Sequence, residues 1–344
     1  MDRRTVLTTI GTASIGSIAG CTRSDDEASV TELRLAVPPE GSSPYVIYSQ
    51  AHSGLEDMLP GEGLISLKPG NGHWVATDSL IDGAIELAEV GANTFHAAYN
   101  GVDPYEEKHS QLRTIYGGSV ELPFGMAITE EYRDEHGVES LEAIVNNELA
   151  LDFATYPEGT TGEFFLRQWL SLYDATIDDL INWGGSWNPA PGSDIISMFD
   201  AGELDAWVHV MPQGHPDWTQ LTQSNNFYYI GVGDGVVEEF KEYNYLPYTV
   251  ERSDEAWQQT LSGIEDQGDM DTVRFYGALG TTEELGDEVA YSLAEAMHEM
   301  SGDIAEAVPA FNAAFDEESV TDDVKLGAPL HNGAQNYWDE AGLL

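Results

Sequence analysis

Leu112-Arg113-Thr114-Ile115-Tyr116-Gly117-Gly118, followed downstream by Phe124-Gly125-Met126-Ala127-Ile128, is the stretch on which the fold turns. Both apolar runs have strand composition, and the glycine pair after the first reads as a bend. Upstream, strand and helix signals alternate: Leu33–Val37, a helix from Tyr45 to about Leu59, then Leu64–Lys68, ended by Pro69-Gly70-Asn71-Gly72. Alternation resumes with a strand over Leu149–Ala154 and a helix over Phe164–Leu172. This pattern builds open α/β sheets. A return strand over Val273–Ala278 makes residues 122–272 an insertion within a first lobe formed by 32–121 and 273–344. Two helices close the chain: Leu285–Met300, behind a capping box of Thr281 with Glu284, and about Asp303–Phe315.

An internal echo points to two similar lobes. Ser79-Leu80-Ile81-Asp82-Gly83-Ala84-Ile85-Glu86-Leu87-Ala88 resembles Ser197-Met198-Phe199-Asp200-Ala201-Gly202-Glu203-Leu204-Asp205-Ala206-Trp207-Val208, with one extra residue in the second copy. Each copy ends a helix near a glycine and leads into a strand through an acidic residue. A polar loop follows each strand: Gly91-Ala92-Asn93-Thr94-Phe95 and Met211-Pro212-Gln213-Gly214-His215. Helix–glycine–strand units are common, so the pattern alone leaves chance similarity open.

The start of the chain reads as an address. Asp2-Arg3-Arg4-Thr5-Val6-Leu7, a weakly apolar run and Ile18-Ala19-Gly20-Cys21 have the layout of a twin-arginine export signal ending in a lipobox. Residues 1–20 are expected to be the signal peptide, Cys21 the lipidation site and 21–31 a linker. The mature chain is then extracytoplasmic, a cell-surface lipoprotein held on the cell membrane by its lipid alone. Cys21 is the one cysteine of the sequence, so no disulfide forms within the chain.

Lys plus Arg number 13 against 61 Asp plus Glu among 344 residues, a formal charge of −48. The acidic runs (Asp25-Asp26-Glu27, Glu130-Glu131, Asp178-Asp179, Asp322-Asp323) are scattered. A surface adapted to high salt explains that better than a cation-binding face. Nucleic acid is excluded as a partner for want of basic patches.

No catalytic constellation stands out. G-x-S-x-G, the P-loop, G-x-G-x-x-G and H-E-x-x-H are all absent. His209, His215 and Asp217 fit a polar loop better than a metal site, and no metal or cofactor is expected. Two polar loops open helices: Gly41-Ser42-Ser43-Pro44-Tyr45, and Glu158-Gly159-Thr160-Thr161-Gly162-Glu163. Either one is ordinary capping when taken alone, Thr160 with Glu163 being a capping box. Two of them at strand C-termini, one per lobe, favour an anion site, because open α/β sheets bind ligands at that edge.

The order of these motifs resembles the TAXI class of extracytoplasmic solute-binding proteins, which serve TRAP transporters. The shared features are the loop 41–45, Leu80–Glu86 with Tyr99-Asn100-Gly101, Leu112–Ile115, Pro157–Gly162, Gly202–Ala206 and, most specific, Ala328-Pro329-Leu330-His331-Asn332-Gly333-Ala334-Gln335-Asn336-Tyr337-Trp338. The first loop departs from that class in lacking repeated glycines, and Glu251–Met270 replaces its usual hairpin. The resemblance implies a periplasmic-binding-protein-like type II fold: two α/β lobes joined by a hinge of crossing strands.

It also implies a monomeric receptor for a small organic solute, a carboxylate or an amino acid such as glutamate or a related dicarboxylate, delivered to a TRAP-type membrane permease with fused subunits. The expected contacts are Ser42, Ser43 and Tyr45 from the first loop, Asn93 and Thr94 from the next, and Tyr116 at the hinge. Thr160, Thr161, His209 and Gln213 would come from the second lobe. Aromatics near the expected cleft (Tyr45, Trp74, Tyr116, Trp183, Trp187, Trp218) favour a bulkier or less polar solute. An exported hydrolase with an active site between the lobes, and a ligand-sensing lipoprotein, are the competing readings. No enzyme activity is expected.

Overall fold

The computed structural model describes residues 32–344 except 41, 62, 71, 211–213 and 259. The signal segment 1–20, Cys21, the linker and Gln213 lie outside the described residues. The strands are β1 Glu32–Val37, β2 Leu64–Pro69, β3 Leu87–Gly91, β4 Leu112–Thr129, β5 Asp152–Thr155, β6 Ser186–Pro189, β7 Ala206–Val210, β8 Phe227–Ile230, β9 Leu246–Val250 and β10 Met270–Thr282. Their hydrogen-bonded order is β2-β1-β3-β10-β4-β7-β5-β6, with β8 beside β4 and β9 beside β10.

The decisive stretch is one strand of 18 residues, not two strands with a bend. Its first part pairs with β10 up to Pro123↔Arg274, and from Phe124 to Thr129 it pairs with β7 and β8. The glycine pair opens a bulge instead of a break. Gly118 has φ 79°, and the register slips between Tyr276 and Ala278 of β10. Because β10 runs alongside, the ladder resumes beyond the bulge. β4 and β10 are thus the two crossings between lobes, and each belongs to both.

The lobes are wired alike. β1 pairs in parallel with β2 and β3, and β5 pairs in parallel with β6 and β7, so the first strand of each set lies between the second and third. The echoed segments occupy equivalent places. One runs from the helix His73–Ile81 into β3, the other from the helix Gly192–Asp200 into β7. Gly83 (φ 67°) and Gly202 (φ 71°) each turn the chain after the helix in the left-handed region. The acid that follows does the same work twice. Glu86 accepts the backbone N–H of Arg34 on β1 at 2.8 Å, and Asp205 accepts that of Asp152 on β5 at 3.0 Å.

Tertiary partners displace some local signals. Thr281 ends up inside β10, donating to the Glu86 carbonyl at 2.8 Å, and the closing helix starts at Asp287 behind Gly286, so the expected capping box does not form. That helix runs on to Ala307, and a separate one spans Pro309–Ala314. The segment 251–270 packs onto the second lobe. Trp257 is buried, Trp218 Nε1 donates to the Thr260 carbonyl at 2.6 Å, and Phe227 forms a bridge with Ile264. One apolar core passes through both lobes, carried across by Phe124, which stacks on Phe165 at 4.1 Å and on Phe275 at 5.2 Å.

Candidate functional site

Parallel strands followed by helices put every helix N-terminus at the strands' C-terminal edge. In the first lobe the helices Ser43–Met58, His73–Ile81 and Ala92–Asn100 start there, after β1, β2 and β3. In the second, Thr161–Ser171, Gly192–Asp200 and Pro216–Leu221 follow β5, β6 and β7. The two edges meet. His73 Nδ1 lies 3.0 Å from Thr161 Oγ1 across the lobes. Gly72, at φ 105°, lies so close that a Cβ there would stand 3.3 Å from Thr160 Cα. On the other flank Asn93 Nδ2 donates to Tyr245 Oη at 3.0 Å, and Tyr245 Oη donates to Gln168 Oε1 at 3.1 Å. Phe275, edge-on to His73, forms the floor with Phe124 and Phe165.

Buried side-chain atoms of these loops, strands and helices without a hydrogen-bond partner include His73 Nε2, Trp74 Nε1, Asn93 Oδ1, Thr160 Oγ1, Gln168 Nε2, Trp169 Nε1 and His209 Nε2. Each such orphan costs roughly 1–3 kcal/mol, and two of them, His73 Nε2 and Thr160 Oγ1, flank the His73–Thr161 contact between the lobes. Thr160 is free because its expected capping box is not made. Thr160 stands at the N-cap without a side-chain cap bond, while Glu163 pairs with Arg167 and accepts the Gly159 N–H at 3.4 Å. The first N–H groups of that helix are also without intrahelical partners.

Both histidines are neutral at pH 7. Burial pushes the His73 imidazole down to about 4 and that of His209 to about 3. His209 Nδ1–H donates to the Val210 carbonyl at 2.5 Å, which leaves Nε2 as an acceptor. Its ring is packed against Trp207 (4.4 Å) and Trp218 (4.7 Å). Gly162 at the start of the facing helix lies beside His209, a Cβ there falling 3.8 Å from its Cα. His215 Nε2 is 3.2 Å from Tyr156 Oη. Among the described residues no group of three His, Cys, Asp or Glu could hold a metal ion.

Of the residues singled out in the sequence, Asn93, Thr160 and Thr161 come together where the lobes meet, with His209 beside Gly162. Thr94 is buried next to them but donates to the Gly91 carbonyl at 2.8 Å. Ser42 caps its own helix, its Oγ accepting from Tyr45 N at 3.4 Å, with Ser43 and Tyr45 half-buried in the same first turn. Tyr116 lies inside the first lobe, its Oη 2.8 Å from Tyr48 Oη. His73, Gln168 and Tyr245 were not anticipated. Gly72-His73 does repeat the strand–glycine–helix pattern of the loops that were singled out, and that signal could have found it.

The mouth of the cleft opens into a cavity of about 310 Å³, lined by Trp74, Asp78, Pro104, Tyr105, Gly159 and Phe164. Both lobes contribute to it.

The sequence profile of the NMT1-like family matches residues 74–342. Among solved structures, a protein of Bordetella bronchiseptica RB50 is similar over 91% of this chain and 98% of its own, at 12% identity and a TM-score of 0.52. The alkanesulfonate-binding protein SsuA from Xanthomonas axonopodis pv. citri, bound to MOPS, is similar over 90% of this chain and 91% of its own, at 14% identity and a TM-score of 0.46. DctP7, a Bordetella pertussis extracytoplasmic solute receptor binding pyroglutamic acid, is similar over 91% and 93%, at 11% identity and a TM-score of 0.42. No curated protein matches the sequence. The fold class is mixed α/β around a central sheet, as the motifs led one to expect, and the Bordetella bronchiseptica protein shares that fold.

Proposed function

The chain belongs to the NMT1-like family, and from that premise we propose that it is an extracytoplasmic receptor whose lobes close on one small organic solute. The observation that carries this reading is the contact of His73 with Thr161 across the lobes, flanked by the unpartnered His73 Nε2 and Thr160 Oγ1. A solute satisfies both sides only when the lobes are shut, which makes closure the signal of occupancy.

The chemistry of the seam narrows the solute. Gln168 Nε2, the Thr160 hydroxyl and the free N–H groups of the helix Thr161–Ser171 can hold a carboxylate oxygen. Asn93 Oδ1 and His209 Nε2 can accept from a hydroxyl, amide or ammonium. No Lys or Arg side chain is among these groups, so the site suits a carboxylate or amino acid held by dipoles instead of by a cationic clamp. Following the TAXI resemblance, we assign delivery to a TRAP-type permease, with Cys21 as the lipid anchor and the acidic surface as an adaptation to salt. We also take 32–121 with 273–344, and 122–272, as the two lobes of a monomer.

Calorimetry in molar KCl against a panel of carboxylates and amino acids tests the reading. Saturable binding of a small solute is expected, weakened by His73→Ala. Absence of binding by every small organic solute tried overturns it.

A further inference from the structure

We propose that the cavity at the cleft mouth, lined by Trp74, Pro104, Tyr105 and Phe164, receives an apolar tail of the solute, which makes this a receptor for amphipathic monocarboxylates in preference to dicarboxylates. The inference rests on the receptor reading above and names the class of solute for that same site.

The cavity of about 310 Å³ is at the small end of ligand pockets, which run from roughly 300 to 1,000 Å³. Its walls are rings. Trp74 stacks with Tyr105 at 5.8 Å and 23°, and meets Phe164 at 4.0 Å and 37°, with Pro104 closing one side. Trp74, Pro104 and Tyr105 belong to the first lobe, and Gly159 and Phe164 to the second, so the slot is complete only when the lobes are together. It adjoins the polar seam on both sides. Trp74 follows His73 in the chain, and Gly159 precedes Thr160. The aromatic lining is thus supplied by chain neighbours of His73 and Thr160, the residues at the contact between the lobes. Gly159, at φ 82°, lies close to the first lobe, since a Cβ there would stand 3.3 Å from Val75 Cγ2.

Two polar groups border the slot, and both bear on the choice of tail. Trp74 is 7% exposed and its Nε1 has no partner. That leaves one neutral donor, suited to at most a weak polar substituent. Asp78 is the charged residue of the lining, and it accepts from Tyr105 Oη at 2.8 Å. Its negative charge repels a second carboxylate at the tail end, while a methyl group or a ring meets only apolar surface there. A solute with one anionic head and a compact alkyl or aryl tail fits both halves. A dicarboxylate fits the seam and clashes electrostatically with the mouth.

The test is calorimetry on the full chain in molar KCl with butyrate, hexanoate and adipate. Each methylene buried in the slot tightens binding about fourfold, so hexanoate, with two more, is expected to bind roughly fifteenfold tighter than butyrate, and adipate more weakly than hexanoate. Phe164→Ala should weaken hexanoate more than butyrate and so reduce the preference for hexanoate. Phe164→Leu, which keeps an apolar wall, should retain it and guards against a mere folding defect. Asp78→Asn should close the gap between adipate and hexanoate. Adipate binding as tightly as hexanoate overturns the slot and leaves the receptor standing. So does binding of some other solute from the wider panel when none of these three binds. No binding by anything overturns both.

Discussion

His73 Nδ1 and Thr161 Oγ1 lie 3.0 Å apart, the imidazole on one lobe and the hydroxyl on the other. Each sits at the start of a helix, and each has a buried polar neighbour without a partner: its own Nε2 for His73, and Thr160 Oγ1 for Thr161. The lobes are thus tied by a bond that leaves hydrogen-bonding capacity unused on both sides of it.

Removing that capacity should cost binding more than folding. His73→Ala and Asn93→Ala are each expected to weaken solute affinity by about 1–3 kcal/mol, roughly 5-fold to 150-fold. The solute-free melting temperature should move little, since each variant also deletes an orphaned atom. Calorimetry and a thermal melt on the same samples check the split.

The buried His73 also makes stability depend on acid. Its pKa is held near 4 by burial, below the ordinary value of 6.5. The unfolded chain therefore takes up a proton that the folded one refuses, and stability contributed by this group is lost as pH falls from about 6.5 toward 4. His73→Gln should reduce that loss, read as the pH dependence of the denaturant midpoint relative to wild type.

Glu89 should act in the opposite direction. It is buried in the first lobe, accepting from Tyr48 Oη and Ser119 Oγ, both at 2.6 Å, and burial pushes its carboxyl up to about 8. The folded state here holds the proton more tightly, so the contribution is full below the unfolded value near 4.5 and is lost as pH rises through about 8. Glu89→Gln should leave stability at pH 5 nearly unchanged and raise it at pH 8 by a few kcal/mol at most. A variant with the same pH slope as wild type between those points would count against a protonated Glu89.

Gly277 sits on β10 at the crossing, where a Cβ would press into Glu89 Oε1, Ser119 Oγ and Val120 Cγ1. Gly277→Ala is expected to destabilise by about 1–3 kcal/mol through overpacking. Equilibrium unfolding in urea measures it, and an unchanged midpoint would show that the crossing yields without cost.

With 61 acidic residues against 13 Lys and Arg, most surface carboxylates lack a cation, and self-repulsion should dominate in dilute buffer. The melting temperature is expected to rise steeply from dilute buffer to molar KCl. A flat response would remove the salt-adapted reading.

The parts of the fold legible in the sequence were those with short-range signatures. Gly83 and Gly202 end helices, and Glu86 and Asp205 lead into strands. These local devices carried the echo that the equivalent lobes make real. What was illegible depended on distant partners. The glycine pair at 117–118 reads as a break until β10 is laid beside it. Thr281 reads as a cap until the Glu86 carbonyl, 195 residues away in sequence, takes its hydroxyl. Among the candidate contacts, the positions of Asn93 and Thr161 were readable because they open helices after strands. Tyr245 was not, because Asn93 and Gln168, its partners, are 152 and 77 residues distant. Tyr116 shows the limit of reading by position: it lies on the crossing strand, yet its hydroxyl turns toward Tyr48.

β4 serves two sheets as one uninterrupted strand of 18 residues, roughly 60 Å of chain. Neither lobe then has a private boundary. Melting either one strips the other of an internal strand, so the two should unfold in one transition, and a fragment ending near residue 121 would expose a raw sheet edge. Opening for a solute cannot be the swing of a loose tether. It has to be stored as twist along β4 and β10, which makes the molecule less a pair of jaws on a string than a torsion spring with a grip at each end.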